Sequence, residues 1–593
     1  VYKRQVDKVI SYMENKNTGS WKNNLCFMAD DGSNTDGFMT EHMEFADQLA
    51  GYVESEHPEF LVNKLYYDAY KKDMTAGTYP DVRSGLQKLL KDGLLLFNYT
   101  GHGGTTALSD EKVLTQTDIN QFTYTHLPVW VTATCDFTRF DDLNTSAGED
   151  VFLNKSSGGI ALFTTVRVAY SRPNFPINDN VIRNLFERNN GRRRTLGEVM
   201  QATKNTLSSV YKLGFCLIGD PAVKMAYPEF GMKVTTVNGQ SVDGNSISFK
   251  ALEKITVEGE VLDASGQLVT DFTGIVNPTV KDSKVTVTCL KNSNKDDSPA
   301  FTFTDYPNTI FIGNDSVRNG KFSFTFTVPK DISYSNLQGK MNLYAVDTES
   351  GNEAQGNFDN FIVGGTSDTA ETDTIGPEIR ALYLNDTTFV DGGQVNTTPY
   401  FVAELWDKSG VNITGSSVGH DMMLVIDEST VLSYNLNSYY ELLLGEDGTG
   451  IVKFPIPALE PGKHTAEFWV WDILNNSTVR TFTFEVVEGL KPFLFDVIAT
   501  PGIAREQVTF HLMHNRPESR MRVGIMVYDL AGRQLWKHEE SGTSGLFENY
   551  TVSWDLTSGG ARMRPGVYIY RAAISTDNSK DATKARKFII LGE

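Results

Sequence analysis

The pattern of hydrophobic residues changes once along this chain, near residue 228, and that change limits the folds open to it. Before this point, short apolar stretches alternate with stretches of helical spacing, a pattern typical of an α/β sheet with helices on its faces. After it, β-branched and aromatic residues alternate with polar ones and are broken by Gly, Asn and Asp turns, with no convincing helix. The sequence therefore predicts an α/β domain followed by an all-β remainder.

The α/β part contains five predicted strands, and their alternation with helices favours a mostly parallel sheet. The strands are expected at residues 25–30, 61–67, 93–99, 128–135 and 158–166. Helical spacing covers residues 37–53, 80–93 and 195–210. In the last of these, Thr195 is the expected N-cap and Glu198 completes a capping box.

The all-β part divides at two stretches that have little to bury. Residues 364–377 are rich in Thr, Asp and Gly, and a second break lies near residues 486–492. The last module is then about 100 residues long, the usual size of an immunoglobulin (Ig)-like β-sandwich. We predict an α/β domain at 1–228, Ig-like β-sandwiches at 229–365 and 378–488, a linker at 366–377 and a third β-sandwich at 489–593.

Charge and cysteine content exclude several classes of protein. The net charge of −20 would repel nucleic acid and anionic lipid, so nucleic-acid partners are excluded. Four cysteines are too few for a disulfide framework in so long a chain, and none has the CxxC spacing that would suggest zinc. The chain begins without a start Met or a signal peptide and is already helical in period, so we interpret it as a piece of a longer protein.

Two predicted strands end on reactive side chains. His102 follows the apolar run in "NYTGHGG", and Cys135 follows the run in "PVWVTATCDF". Ligands bind beyond the carboxyl ends of strands in an open α/β sheet, so neighbouring parallel strands would bring both residues to one crevice. A Cys/His pair suits nucleophilic attack on an acyl carbon, and the backbone N–H groups of Gly103 and Cys135 are candidates for the oxyanion hole.

Each of these residues also has a simpler interpretation. A lone cysteine at a strand end is usually a small buried hydrophobe, and a lone histidine near glycines is often a turn residue. The occurrence of both, each at the end of its own apolar strand, favours catalysis. Core filling suffices for the other cysteines, Cys26, Cys216 and Cys289, which lie inside apolar or β runs.

Three segments in order, "NYTGHGG", "TATCDF" and "FCLIGDPAVKM", resemble the gingipain-type cysteine peptidases, whose catalytic domain is caspase-like. The resemblance covers essentially the first 228 residues. It implies that Cys135 is the nucleophile, that His102 is its general acid/base and that the enzyme is secreted and held at the cell surface. The longer stretch at residues 132–174 resembles the sortases of the type IX secretion system more closely than the gingipains proper.

The resemblance also implies supporting residues. Members of the family place an acidic residue near the active histidine, and in "MADDG" Asp31, directly before Gly32, is a better match than Asp30; an Asp-rich turn is the alternative. Tyr170 falls where the family lines the primary specificity pocket with an aromatic ring, and core packing is the alternative there. Gingipains also use an acidic residue to hold a basic side chain in that pocket, but the spacing around Asp36 and Glu41 fixes no register for it, so specificity for Arg or Lys is not supported.

The C-terminal segments "VYDLAGRQLW", "WDLTSGGARMRPGVYIYRAAI" and "KARKFIIL" resemble the domain that addresses proteins through the type IX apparatus. The combined resemblance implies a sortase, a cysteine endopeptidase or transpeptidase that removes C-terminal signal domains from exported proteins. It implies outer-membrane secretion components as partners, a surface glycolipid as an acceptor of the thioester, and a location on the extracellular face of the outer membrane. The alternatives are a gingipain-like secreted protease and a non-catalytic docking protein.

No cofactor is expected from the sequence, and no catalytic metal site is indicated. The Asp- and Asn-rich turns of the β modules are compatible with structural calcium, but no loop matches a specific calcium-binding pattern, and solvated turns explain them as well.

Overall fold

The computed structural model describes residues 2–32, 40–155, 157–292, 299–367, 373–415, 419–443, 448–576 and 578–591. Within this part of the chain every α-helix precedes residue 207, as the sequence predicts. The helices are α1 Tyr2–Met13, α2 Glu41–Glu56, α3 Pro80–Asp92, α4 Gln116–Asn120, α5 Ala147–Leu153, α6 Ser171–Phe186 and α7 Leu196–Thr206. Short 3₁₀ helices lie at Ser20–Asn23, Tyr67–Ala69, Val210–Gly214 and Asn437–Tyr439.

A six-stranded sheet forms the centre of the α/β segment, which we define as residues 2–226. Its order is β10-β7-β6-β3-β1-β2, and every pairing is parallel except that of β10 with β7. The strands of this segment are β1 Asn24–Ala29, β2 Leu61–Tyr66, β3 Leu96–Thr100, β4 Ala107–Leu108, β5 Leu114–Thr115, β6 Val129–Ala133, β7 Ala161–Thr165, β8 Arg188–Asn189, β9 Arg192–Arg193 and β10 Phe215–Ile218. The predicted, mostly parallel sheet is confirmed.

The central strands are apolar on both faces because helices cover both faces of the sheet. Every residue of β3, β6 and β7 is buried. Helix α7 begins with the predicted capping box, in which Thr195 accepts from the N–H of Glu198 and the Glu198 carboxylate accepts from the N–H of Thr195. Helix α6 is not predicted by the sequence pattern, because Pro176 lies inside it and lacks the N–H of a regular helix residue.

The first β module, residues 230–366, contains a sheet that closes on itself. Its order is β12-β11-β14-β20-β19-β15-β22-β23, and β23 pairs back onto β11 in parallel. This closure differs from the two open sheets of a simple sandwich, and the Ig-like assignment is not confirmed. The strands are β11 Phe230–Val237, β12 Gln240–Ser241, β13 Ile247–Ala251, β14 Lys254–Leu262, β15 Gly274–Lys281, β16 Val285–Thr288, β17 Thr302–Asp305, β18 Thr309–Ile312, β19 Asp315–Arg318, β20 Lys321–Thr327, β21 Leu337–Gln338, β22 Lys340–Asp347, β23 Glu353–Phe358 and β24 Phe361–Thr366.

The β16–β17 hairpin of this module packs into the core of the α/β segment. The ring of Phe303 lies edge-on to Tyr66 at 4.6 Å between centroids, and both residues belong to one apolar cluster with β1 and helix α2. Beside it, the Asp68 carboxylate accepts from the backbone N–H groups of Lys291, at 2.8 Å, and Asn292, at 2.7 Å. The hairpin therefore completes one face of the α/β core.

A buried ion pair forms a second junction within the same unit. Glu353 of β23 pairs with Lys22 of the α/β segment, and both side chains are almost completely buried. The Glu353 carboxylate also accepts from Asn15 Nδ2 at 2.8 Å, from the N–H of Gly19 at 3.2 Å and from the hydroxyl of Tyr344. Contacts of this kind join residues 1–328 and 332–370 into one compact unit.

A second compact unit comprises residues 329–331 and 371–593, and in its described part it is built from strands. A four-stranded and a five-stranded sheet precede residue 488, and a three-stranded and a five-stranded sheet follow it around a separate apolar core. The strands are β25 Glu378–Leu384, β26 Gly393–Val395, β27 Tyr400–Trp406, β28 Met423–Ile426, β29 Ser433–Asn435, β30 Tyr440–Leu442, β31 Gly450–Pro455, β32 Gly462–Trp471, β33 Ser477–Val486, β34 Leu494–Thr500, β35 Ile503–Ala504, β36 Val508–His514, β37 Met521–Tyr528, β38 Gln534–Gly542, β39 Tyr550–Trp554, β40 Thr557–Ser558, β41 Ala561–Arg562, β42 Gly566–Ser575 and β43 Ala582–Ile590. The Ig-like character of these sheets, the linker at 366–377 and the domain boundaries stay predictions.

None of the described helices is long and apolar enough to cross a bilayer.

Candidate active site

His102 and Cys135 follow the ends of two neighbouring parallel strands. In the β3–β6 pair Thr100 lies opposite Ala133, and each candidate residue lies two positions beyond that pair. The N–H of Gly101 continues the ladder by donating to the carbonyl of Ala133 at 3.4 Å. The two segments therefore leave the sheet side by side at its carboxyl edge, as the sequence predicts.

Gly103 holds the two segments in close contact. A Cβ atom at this position would lie only 2.4 Å from Thr134 Oγ1 and 3.2 Å from Thr134 Cγ2. Only a residue without a side chain fits at this distance. The glycine that follows His102 thus packs against the residue that precedes Cys135.

The Cys135 thiol is held by the backbone of Ala169. Its Sγ donates to the Ala169 carbonyl at 3.0 Å and accepts from the Ala169 N–H at 3.4 Å. Burial raises the pKa of the Cys135 thiol, the Ala169 contact lowers it in part, and the nearby Asp136 carboxylate raises it further. In this arrangement the group is a thiol at neutral pH, and it must lose its proton before it can attack an acyl carbon.

The backbone and the ring of His102 are both held by neighbours. Its N–H donates to Asp30 Oδ2 at 3.0 Å, and its carbonyl accepts from the Tyr99 hydroxyl at 2.7 Å and from the Ser109 N–H at 2.9 Å. The imidazole ring lies edge-on to that of His42, with centroids 5.1 Å apart. His42, in the first turn of α2, is a neighbour that the sequence analysis did not identify.

The two aspartates after β1 have different partners. Asp30 binds the N–H of His102, whereas Asp31 accepts from the Tyr79 hydroxyl at 2.6 Å and lies 3.4 Å from the Lys72 ammonium. Lys72 also pairs with Glu111 at 2.9 Å, and carboxylate oxygens of Asp30, Asp31 and Glu111 lie within 4.8 Å of one another. Burial, followed by the charges of Glu111 and Asp31, raises the pKa of Asp30 well above its usual range.

Two backbone N–H groups beside His102 and Cys135 form no hydrogen bond in the described part of the chain. Among the described residues, the N–H groups of Gly103 and Cys135 donate no hydrogen bond. Both belong to the segments that leave β3 and β6 side by side. This is compatible with the predicted oxyanion hole, which needs donors that are not already used.

Tyr170 is exposed at the surface near Cys135. Its side chain is 66 % exposed and lies edge-on to Tyr211 at 6.1 Å between centroids, so it is not a core residue. The next two residues bind Glu41 in the first turn of α2, Ser171 through its hydroxyl and Arg172 through Nε at 2.8 Å. Burial by itself would raise the pKa of Glu41, but these hydrogen bonds outweigh it and hold the pKa below its usual range.

A second acidic cluster lies in the unit that follows residue 371. Carboxylate oxygens of Asp373, Asp407 and Asp472 lie within 4.8 Å of one another. Backbone and side-chain donors already bind them: Ser409 Oγ donates to Asp373 at 2.8 Å, and Asn476 Nδ2 donates to Asp472 at 2.7 Å. Acidic groups held this way do not define a metal site by themselves, so structural calcium stays a prediction.

Comparison with known proteins identifies the α/β segment. Residues 2–226 match the family model described as peptidase family C25. Among solved structures, the chain is similar to dimeric latent PorU from Porphyromonas gingivalis, with 26% identity over 96% of this chain and 65% of that one and a TM-score of 0.31. It is also similar to the Arg-specific cysteine proteinase gingipain R, with 19% identity over 61% of this chain and 72% of that one and a TM-score of 0.32.

The chain thus spans less than two thirds of the length of the PorU chain that it matches. No curated protein matches it.

Proposed function

Because the α/β segment, residues 2–226, belongs to the gingipain-type peptidase family C25, we propose that this chain cleaves peptide bonds with Cys135 as nucleophile and His102 as general acid/base. One observation carries the assignment of these two residues. Each lies two residues beyond the paired residues Thr100 and Ala133 of the adjacent parallel strands β3 and β6. Gly103, next to His102, packs directly against Thr134, next to Cys135. Among the residues that the structure describes, no other pair of carboxyl-terminal strand ends in this sheet combines a cysteine with a histidine.

The first half of the reaction forms a thioester. The Cys135 thiolate attacks the carbonyl carbon of the scissile peptide bond, and the oxygen of the tetrahedral intermediate accepts from the N–H groups of Gly103 and Cys135. His102 takes the thiol proton and gives it to the amine as the C–N bond breaks. The thiolate displaces the amine, and the acyl group remains on sulfur.

The second half resolves the thioester. His102 draws a proton from an incoming water or amine, whose oxygen or nitrogen attacks the acyl carbon, and the Cys135 sulfur leaves and is protonated again. Water gives hydrolysis, and an amine gives transpeptidation. Asp30, which holds the backbone of His102, is a stronger candidate for the supporting acid than the predicted Asp31, which is bound to Lys72 and Tyr79.

The finer proposal is a sortase of the type IX secretion system. Its substrates are exported proteins with C-terminal signal domains, its partners are outer-membrane secretion components, and an amine of a surface glycolipid is the acceptor. The resemblance of residues 132–174 to type IX sortases and that of the last module to type IX signal domains support this proposal. Such an enzyme would act on the extracellular face of the outer membrane.

The test is cleavage of a purified cargo protein that carries its C-terminal signal domain. We expect the full-length enzyme to release the signal domain and the Cys135→Ala variant to leave the cargo intact, as followed by intact mass. Added mass at the new terminus when an amine is supplied would demonstrate transpeptidation. Loss of the signal domain with the variant as well would contradict the role of Cys135.

Two other functions give different results in the same assay. A gingipain-like secreted protease would degrade unfolded casein, which a sortase should spare. A non-catalytic docking protein would cleave neither, and its Cys135 would react with iodoacetamide no faster than an ordinary buried thiol.

The contact between Gly103 and Thr134 gives a further prediction for the active site. In Gly103→Ala the new methyl group would meet Thr134 Oγ1 at 2.4 Å, so the segments that carry His102 and Cys135 must separate. A displacement of about 1 Å in a catalytic group costs roughly 10²-fold in rate. We expect kcat to fall by about that factor, as measured with the signal-bearing cargo.

A neighbouring glycine and a compensating change provide the controls. A Cβ at Gly104 has no atom within 4 Å, so Gly104→Ala should retain most of the activity. Adding Thr134→Ala to Gly103→Ala removes the atoms that clash and should restore part of the lost rate. Equal activity of the two single variants would show that the contact does not position the dyad.

A further inference from the structure

Five large apolar side chains are exposed on two short segments beside Cys135. We call them the apolar face: Val168 and Tyr170, which follow β7, and Val210, Tyr211 and Leu213 of the 3₁₀ helix at Val210–Gly214. Their exposed fractions are 64 %, 66 %, 73 %, 40 % and 71 %, respectively. Single exposed apolar residues are common on protein surfaces, but a group of them on adjacent segments marks an interaction site.

The two segments run side by side as a continuation of the sheet. Thr165 of β7 lies opposite Phe215 of β10, and the N–H of Val166 donates to the carbonyl of Gly214 at 2.9 Å. Farther along, the rings of Tyr170 and Tyr211 meet edge-on at 6.1 Å. The two segments therefore present exposed side chains next to each other, with Tyr170 and Tyr211 in direct contact.

This surface is continuous with the nucleophile. Ala169, which lies between Val168 and Tyr170 in the chain, holds the Cys135 sulfur through both its carbonyl, at 3.0 Å, and its N–H, at 3.4 Å. A polypeptide bound on the apolar face would therefore pass next to the Cys135 thiol.

The charged residues on these segments already have partners. Arg167 pairs with Asp141 at 2.5 Å, and the Lys212 ammonium donates to the backbone carbonyl of Lys204 at 2.8 Å. The carboxylate of Asp136 lies next to Cys135, and its Oδ1 is buried without a hydrogen bond among the described residues. Its negative charge would favour a basic substrate.

We propose that the apolar face binds the substrate polypeptide beside the scissile bond and selects an aliphatic or aromatic side chain there, rather than Arg or Lys. This proposal rests on the proposed cysteine peptidase function of Cys135. Side chains of Leu or Phe would cover apolar atoms of Val210, Tyr211 and Leu213 that water now contacts. Over these three apolar side chains, Lys or Arg would have to give up water without gaining a hydrogen bond from them.

The test uses peptidyl acyloxymethyl ketones that differ only in the residue next to the reactive group, namely Leu, Phe, Lys or Arg. In the labelling step the Cys135 thiolate displaces the carboxylate from the methylene carbon, so that a thioether forms and the carboxylate leaves. The second-order labelling rate of the full-length protein is followed by intact mass. We expect the Leu and Phe probes to react about tenfold faster or more than the Lys and Arg probes, the discrimination that an apolar contact supplies.

A double variant and a matched control locate the effect. Val210→Ser together with Leu213→Ser changes two side chains that are more than 70 % exposed, so folding should be unaffected. We expect it to slow the Leu and Phe probes to about the rates of the Lys and Arg probes. Val431→Ser removes an equally exposed apolar side chain, 83 % exposed, from the other compact unit and should leave all four rates unchanged.

Each of the other results of the labelling experiment leads to a different conclusion. Faster labelling by Lys or Arg would overturn the proposal and indicate that Asp136 selects a basic residue. Unchanged rates in the double variant, with a lower oligomeric mass in solution, would instead assign the apolar face to a second copy of this chain. If no probe labels Cys135, while each still labels papain, the peptidase function itself fails and the inference falls with it.

Discussion

Replacing Cys135 by alanine is expected to lower kcat/KM by roughly 10⁴-fold or more, and replacing His102 by alanine should cost nearly as much, because the two side chains act in one step. For the same reason the double variant should be little worse than either single variant. The structure brings the two residues together at one edge of the sheet through the β3–β6 pair.

The measurement is steady-state cleavage of a signal-bearing cargo by the full-length enzyme and the three variants. Cys216→Ala is the matched control, because Cys216 is also a half-buried free cysteine. It lies on β10, where its backbone is paired with Thr164 of β7, and not on the β3 segment that carries His102. Additive losses in the double variant would show that Cys135 and His102 contribute independently and would argue against a dyad.

Replacing Glu353 by alanine is expected to lower the free energy of unfolding of the first compact unit by about 3–5 kcal/mol, the usual cost of leaving one charge of a buried pair alone. Lys22 would lose its partner in a site where its side chain is 1 % exposed. Burial already lowers the pKa of Lys22, and the charge of Glu353 opposes that shift. Asn15, Gly19 and Tyr344 would each lose an acceptor as well.

The measurement is denaturant unfolding followed by far-UV circular dichroism, with the transition of this unit identified first. Asp243→Asn breaks the exposed Lys233–Asp243 pair of the same unit and should cost no more than about 1 kcal/mol. Combining Lys22→Met with Glu353→Leu removes both charges and should recover much of the loss. A Glu353→Ala variant as stable as Asp243→Asn would mean that the pair does not hold the two segments together.

The α/β segment could be predicted well because its signals are local. A strand buried on both faces must be apolar throughout, and a helix start needs a cap, so β3, β6 and the Thr195 capping box follow from short stretches of sequence. Helix α6 was missed because Pro176 lies inside it. The closure of β23 onto β11 and the docking of the β16–β17 hairpin join residues far apart in the chain, and no local pattern encodes them.

The candidate site, too, combines features that short stretches of sequence predict with features that only the packing decides. His102 and Cys135 could be proposed because each ends an apolar run, and their position at one edge of the sheet follows from the β3–β6 pairing. The choice between Asp30 and Asp31 could not be made from the spacing, because successive residues at a strand end point to opposite sides and only the packing decides which one meets His102. His42 and Glu41 reach the site on a separate helix, which the sequence could place in the fold but not against His102 or Arg172.

The docked hairpin also constrains the order in which the chain can fold. A protein synthesised from its N-terminus usually folds one domain after another as each emerges. Here Tyr66 and Asp68 each have a partner more than 200 residues downstream, Phe303 and Asn292 respectively. The face of the sheet that holds Tyr66, although helix α2 packs on it, therefore stays incompletely covered until the hairpin has been made, and contacts of such long sequence separation form slowly. The nascent chain should depend on protection from aggregation during this interval more than a peptidase domain with a self-contained core.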